Sequence, residues 1–175
     1  MKSLPSREQA LQILRENHCP SNVIAHCIGV ADLAKQTAET LRAKGFEVDV
    51  DLVEVGALLH DLGRAKTHAV NHAVVGAEMA QTLRLPEPVV SIIKRHVGGG
   101  ITTDEAEALG WPKDNYMPTT LEEKIVSYAD KLVETSERVP VEATIEKFRE
   151  RNLEDAAERV RAIHDEIAQL VGDAH

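Results

Sequence analysis

Aromatic residues are scarce in this chain: two Phe, two Tyr and one Trp make up 3 % of 175 residues. So few ring faces argue against a platform for stacking single-stranded nucleic acid. Cysteine is nearly absent too. Cys19 and Cys27 do not make a disulfide framework and fit a reduced compartment. No apolar run approaches the ~20 residues of a membrane span, and the N-terminus lacks a signal-peptide core. The expected location is cytoplasmic. Positive charge is also short: 20 Lys and Arg stand against 29 Asp and Glu, a net charge of −9, and no basic cluster is long enough for a DNA footprint. An acidic protein that handles an anionic substrate needs local positive charge, and a bound metal is the obvious source.

What is present is an ordinary globular balance, 43 % hydrophobic and 28 % charged, over a length that fits one domain with a real core. Repeats, linkers and low-complexity tracts are absent, and no β-alternating segment is longer than Phe46 to Val50. The patterning predicts helix after helix. Ser6-Arg7-Glu8-Gln9 has capping-box form and opens a helix to about Asn17. A longer one starts at Pro20-Ser21, with the apolar stripe Val23, Cys27, Val30, Ala34, Ala38 and Leu41, and Gly45 as its cap. A third begins near Asp51 and ends at His60-Asp61. Beyond a polar connection, Ala65 to Asn71, a fourth covers His72 to Leu85, with Asn71 as N-cap and Val75, Met79 and Leu83 on one face.

The fifth helix, Val89 to Val97, carries His96 in its last turn, and Thr103 to Leu109 forms a short helix stopped by Gly110. Thr120-Leu-Glu-Glu123 is another capping box, and its helix runs through Ile125, Val126, Ala129 and Val133. One last helix follows Pro140, with Ile145, Phe148, Leu153, Val160, Ile163, Ile167 and Leu170 apolar. The expectation is one all-α domain over residues 1–175. Its C-terminal helix, about 140–171, can face its own core or a second copy of the chain.

The chain is organised around Leu58-Leu59-His60-Asp61-Leu62-Gly63-Arg64. The apolar run Val53 to Leu59 delivers a histidine and an aspartate side by side, and Gly63 then breaks the pattern. Adjacent helical residues point about 100° apart, so both side chains enter one cavity only near a helix end. His26, His72, His96 and Asp130 each lie at or near the inward side of another predicted helix. Imidazole and carboxylate are costly to bury unless paired or metal-bound. A lone inward histidine is ordinarily a satisfied core residue and a lone aspartate a cap, but six such residues point to a metal site. Their mixture suits iron, manganese, zinc, cobalt or nickel better than magnesium. His18, His68, His164 and His175 read as surface residues. The pairs His18-Cys19 and His26-Cys27 are eight residues apart, which matches no usual zinc spacing, and Cys27 reads as a small core residue.

These motifs resemble the HD-domain metal-dependent phosphohydrolases, whose pattern is a histidine, a His-Asp doublet and a distant aspartate, here His26, His60-Asp61 and Asp130. His72-Ala-Val-Val-Gly-Ala-Glu78 and Ile93-Lys-Arg-His96 resemble the two extra histidines of a subgroup that holds a second metal. Leu121-Glu-Glu-Lys-Ile-Val-Ser-Tyr-Ala-Asp-Lys131 is similar to its closing helix. The likeness covers a metal-site core of about residues 20–135, and the layout is similar to the bacterial dinucleoside-tetraphosphate hydrolases. Cyclic-dinucleotide phosphodiesterases of the superfamily often carry a His-His doublet where this chain has His96-Val97, and a Gly-Tyr-Pro signature that it lacks. The stretch Gly98 to Pro118 is longer than the family pattern leads one to expect.

The resemblance implies a helical bundle of the HD-domain type with one or two divalent transition metals per chain. His26, His60, Asp61 and Asp130 would bind one metal, and Asp61 would bridge to a second on His72 and His96. Asp61 would thereby act in catalysis. Arg64 and Lys131 would reach a phosphate of a small phosphorylated substrate such as a nucleotide, with solvated surface charge as the alternative for both. The expected reaction is hydrolysis at phosphorus. Two other readings stay open, a di-iron oxygenase on the same ligands and a non-catalytic module that senses a nucleotide.

Overall fold

Residues 53–63 are buried without exception, and the rest of the molecule is arranged to cover them. A computed structural model describes residues 3–172; His175, expected at the surface, lies outside the described residues. The central helix, α3 (Val50–Leu59), is apolar from Val53 and Val55 to Leu58 and Leu59, as a helix without a solvent face must be. It lies against α1 (Arg7–Glu16), α2 (Ser21–Ala43), α5 (Glu87–Lys94) and α7 (Leu121–Asp130). Each Leu or Val fully buried there contributes about 1.5–3 kcal/mol, so packing rather than helix propensity holds these elements. The expected stripe of α2, Val23 to Leu41, is buried throughout. Gly45 takes the left-handed conformation, φ 96°, in the turn that ends it.

Capping side chains hold four of the helix starts. Ser6 and Thr120 form the predicted boxes with Gln9 and Glu123, and Thr102 forms a third with Glu105 at α6 (Thr103–Ala108). Asp49 caps α3 by accepting from the N–H of Leu52. Among the described residues there are nine α-helices and one short β-ribbon, so the fold is all-α as expected. No helix among them is long and apolar enough to cross a membrane.

Several local expectations are corrected. Asn71 does not cap α4 (His72–Thr82): its backbone, φ −71° and ψ 3°, is not the extended conformation from which a side chain reaches the first turn. Leu83 is 39 % exposed because the chain leaves α4 there through Arg84, φ 57°. α5 stops at Lys94, which puts His96 past the helix rather than in its last turn. α7 ends at Asp130 instead of running through Val133. Thr135, φ 53°, turns the chain into a ribbon of β1 (Val133–Glu134) and β2 (Glu137–Arg138). The single C-terminal helix is two, α8 (Val141–Glu150) and α9 (Glu154–Val171), because Asn152 takes φ 60° between them. His164 is not a surface residue, since its side chain is 12 % exposed and its ring lies against Tyr128.

Candidate metal centre

Most of the predicted ligands sit at helix ends. His60 caps the C-terminus of α3 and Asp61 follows it; His72 is the first residue of α4; His96 lies just past α5; Asp130 is the last residue of α7. His26 alone lies inside a helix, near the start of α2. At an end the backbone leaves the helical fan, which is how the adjacent His60 and Asp61 enter one cavity. Gly63 brings two of these ends together. A Cβ there would sit 2.0 Å from the carbonyl oxygen of His72 and 2.7 Å from the nitrogen of Gly76, so the turn after Asp61 rests on α4 only as glycine.

Each of the four rings has its Nδ1 against a backbone carbonyl. His26 meets Thr135 O at 3.1 Å, His60 meets Ala57 O at 2.6 Å, His72 meets Ala69 O at 2.8 Å and His96 meets Ile93 O at 2.7 Å. A carbonyl only accepts, so each Nδ1 donates, and a ring in the neutral form with that tautomer presents an Nε2 lone pair inward. There the Nε2 atoms meet one another and two carboxylates. The Nε2 atoms of His72 and His96 are 3.1 Å apart, and each is 3.2 Å from Asp61 Oδ1. Asp130 Oδ1 is 2.9 Å from His26 Nε2 and 3.3 Å from His60 Nε2. Asp61 Oδ2 lies 3.4 Å from His60 Nε2 and 3.7 Å from His26 Nε2. Asp61 therefore turns one oxygen toward each pair of histidines.

This donor set fits a divalent cation. His60 Nε2 is fully buried without a hydrogen-bond partner, an atom that calls for an explanation in any folded protein. Ligand atoms of His26, His60 and Asp130 lie within 4.8 Å of one another, as do those of Asp61, His72 and His96. Burial opposes the charge on Asp61, yet His60, His72 and His96 hold its carboxyl well below the usual range. Burial opposes the charge on Asp130 as well, and Lys131 and His60 outweigh it. Burial pushes the His96 ring down to about 4, which keeps the ring neutral at physiological pH. His60 moves the other way: burial lowers it, but Asp61, Cys27 and Asp130 together hold it well above its ordinary value. The carboxylates thus draw positive charge into the cluster. Cys27 also lies close to His60 and Asp61, but burial raises its thiol and keeps it the core residue expected.

The candidate ligands open onto a cavity of about 670 Å³. Arg64 lines it, donating to His68 O at 2.9 Å with its Nε 3.7 Å from Asp61 Oδ1. His68 itself is exposed at the rim, as expected of a surface residue. Lys131 also lines the cavity, but its ammonium donates to Asp130 Oδ2 at 2.8 Å, His96 O at 3.0 Å and Ser127 O at 3.4 Å. An ammonium has three protons, so this geometry has Lys131 holding Asp130 rather than reaching for a phosphate. The far wall escapes sequence reasoning. Phe148, Arg151, Leu153 and Arg159 come from α8, α9 and the break between them, and they appear in the chain as apolar stripe and surface charge.

The HD domain family model matches residues 23–135. The chain is 45 % identical over 166 residues to an uncharacterized protein of Methanocaldococcus jannaschii, covering 94 % of this chain and 98 % of that one. It is 37 % identical over 172 residues to a tRNA (cytidine(56)-2'-O)-methyltransferase of Picrophilus torridus. That match covers 98 % of this chain and 49 % of the methyltransferase, so the chain spans about half the length of that relative. Ribonuclease Y of Acidothermus cellulolyticus is 32 % identical over 135 residues, which is 72 % of this chain and 26 % of the ribonuclease. Among solved structures, the HD domain of the L. monocytogenes phosphodiesterase PgpH, in complex with cyclic-di-AMP, shares the fold. Its TM-score is 0.57 at 19 % identity, over 93 % of this chain and 95 % of that one. With one family model spanning every residue from His26 to Asp130, the chain belongs to the HD domain family.

Proposed function

We propose that the protein is a dinuclear metal-dependent phosphohydrolase that cleaves a phosphate ester or phosphoanhydride of a nucleotide or another small molecule. The observation that carries this reading is the straddling carboxylate of Asp61, with Oδ1 toward His72 and His96 and Oδ2 toward His60 and His26. One ion would rest on His26, His60, Asp61 and Asp130, and a second on Asp61, His72 and His96. Iron, manganese, zinc, cobalt and nickel all suit the mixture. When bound, such ions supply Lewis acidity toward a phosphoryl oxygen and make water nucleophilic at neutral pH.

The chain's own groups do the positioning. Carbonyl bonds fix four imidazole tautomers in advance, and Lys131 fixes the orientation of Asp130. Arg64 offers its remaining guanidinium N–H groups to a phosphate at the cavity floor. The lining of the cavity carries four cationic side chains (Arg64, Lys131, Arg151, Arg159) against three carboxylates (Asp61, Glu105, Asp130). In a chain of net charge −9 that local excess favours an anionic substrate over the oxygenase reading. The ribonuclease relatives support chemistry at phosphorus. The methyltransferase relatives are about twice as long as this chain, and imidazole and carboxylate ligands supply hydrolysis rather than methyl transfer.

The test is direct. Metal-reconstituted protein is incubated with nucleoside mono-, di- and triphosphates, cyclic nucleotides and short oligonucleotides, and the products are separated by chromatography. Turnover that requires added metal and disappears in Asp61→Ala is the expected result. Undiminished turnover in that variant would overturn the assignment.

A further inference from the structure

A cavity of about 670 Å³ is far larger than a phosphate needs and falls within the ~300–1,000 Å³ of small-molecule sites. Its floor is polar, and its walls carry an apolar surface between charged side chains. Five large apolar residues are exposed among the described residues, and three of them line this one cavity: Val70 at 44 %, Leu109 at 46 % and Leu153 at 44 %. Ile101 and Phe148 continue the apolar surface. Exposed apolar side chains gathered at one concave place mark a binding surface.

The wall is a built feature. Gly99 rests so closely on α9 that a Cβ would lie 2.5 Å from Arg159 C and 2.6 Å from Val160 N. Arg159 then donates to Gly100 O at 3.3 Å and to Glu105 Oε1 at 2.6 Å, tying α9 to the segment that carries Leu109. Both halves of the wall stand apart from the ligand set. Gly98 to Leu109 belongs to the stretch that is long for the family pattern, and α8 and α9 lie beyond residue 135, where the family match ends. Arg151, the residue that follows α8, is exposed on the cavity three positions after Phe148 and has no ion pair among the described residues.

We propose that this wall is a substrate-selecting subsite for the non-phosphate half of the molecule, an aromatic ring of nucleobase size. The ring lies on Leu109, Leu153 and Phe148, and the guanidinium of Arg151 closes over its face. The phosphate end then falls toward His72, His96 and Asp61. Only that end of the assignment rests on the proposed function.

Calorimetry on metal-loaded protein tests it with two non-hydrolysable probes, 1-naphthylphosphonate and methylphosphonate. The wild-type protein is expected to bind the naphthyl probe roughly tenfold tighter, from the apolar area the ring buries. Leu153→Asp and Leu109→Asp, both at exposed positions that tolerate charge, should remove that preference and leave methylphosphonate within about twofold of wild type. Equal affinity for the two probes in the wild type, or a preference that survives both substitutions, overturns the subsite. Since no turnover is read, ring selectivity in a protein that hydrolyses no ester would overturn the hydrolase reading alone. Hydrolysis without ring selectivity would overturn the subsite alone.

Discussion

The Nε2 atoms of His72 and His96 face each other across 3.1 Å while the Nδ1 of each ring is held by a carbonyl. Two lone pairs at that separation repel, and a cation between them turns the contact attractive. Protein purified without chelator is expected to carry about two metal equivalents by mass spectrometry, and about one in the His72→Ala His96→Ala double variant. One equivalent that the double variant leaves unchanged would return both histidines to structural roles.

Asp61 serves both histidine pairs, so its loss should be felt at both. Asp61→Ala is expected to reduce kcat/KM by about a thousandfold or more, several kcal/mol of transition-state stabilisation. Circular dichroism on the same sample separates this from unfolding. Activity within tenfold of wild type in a folded, metal-replete variant would contradict the bridging role.

Lys131 touches Asp130 and two carbonyls rather than open cavity. Lys131→Met should therefore weaken metal binding by about 10–100-fold, as loss of a ligand's supporting partner does, with KM for the substrate little changed once metal is saturating. Competition against a chelator measures the first quantity. A raised KM with unaltered metal affinity would instead make Lys131 a direct phosphate contact.

Two glycines separate packing from chemistry. At Gly63 a Cβ would meet backbone, His72 O at 2.0 Å, whereas at Gly56 it would meet the flexible end of Ile92 at 2.5 Å. Both alanine variants should lose about 1–3 kcal/mol in urea denaturation. Only Gly63→Ala should also lose metal, because α4 must move and carry His72 with it. Equal metal content in the two variants would refute this.

Acid should weaken the fold through Glu123. Burial opposes its charge, but the N–H of Thr119 and the guanidinium of Arg95 hold its carboxyl below the ordinary 4.5. A depressed folded-state value means the stabilisation is present above pH 4.5 and is lost as the pH falls through that lower value. Glu123→Gln should cost about 2 kcal/mol at neutral pH, the size of a hydrogen bond to a charged group. The variant's stability should also fall less steeply than wild type below pH 4.5, as urea titrations across that range would show. Parallel curves would remove Glu123 from the acid response.

The residues that cluster at the candidate centre were legible in the sequence because burying imidazole and carboxylate is costly. His60 and Asp61 at the end of an apolar run, and Asp130 among Val126 and Ala129, stand out for that reason. Helix starts were legible where a side chain does the capping, as at Ser6 and Thr120. Breaks made by the backbone alone were not. Nothing local announces that Thr135 takes positive φ, and Asn152 is only a weak signal for it inside an apolar periodicity that continues past it, so neither the ribbon nor the division of the last helix is legible in the sequence. The apolar wall was missed for a different reason. Leu109 and Leu153 come to line one cavity where Gly99 packs on α9, a contact between distant segments that no periodicity encodes.

His60, His72 and His96 each take the carbonyl three residues behind them, those of Ala57, Ala69 and Ile93, whereas His26 takes that of the distant Thr135. Three rings are therefore aimed within one turn of their own backbone. The fourth is aimed only when the ribbon docks beside α2. The centre thus depends on the ribbon at one ring only, and displacing the Thr135 carbonyl would free the Nδ1 of His26 while leaving the other three contacts in place.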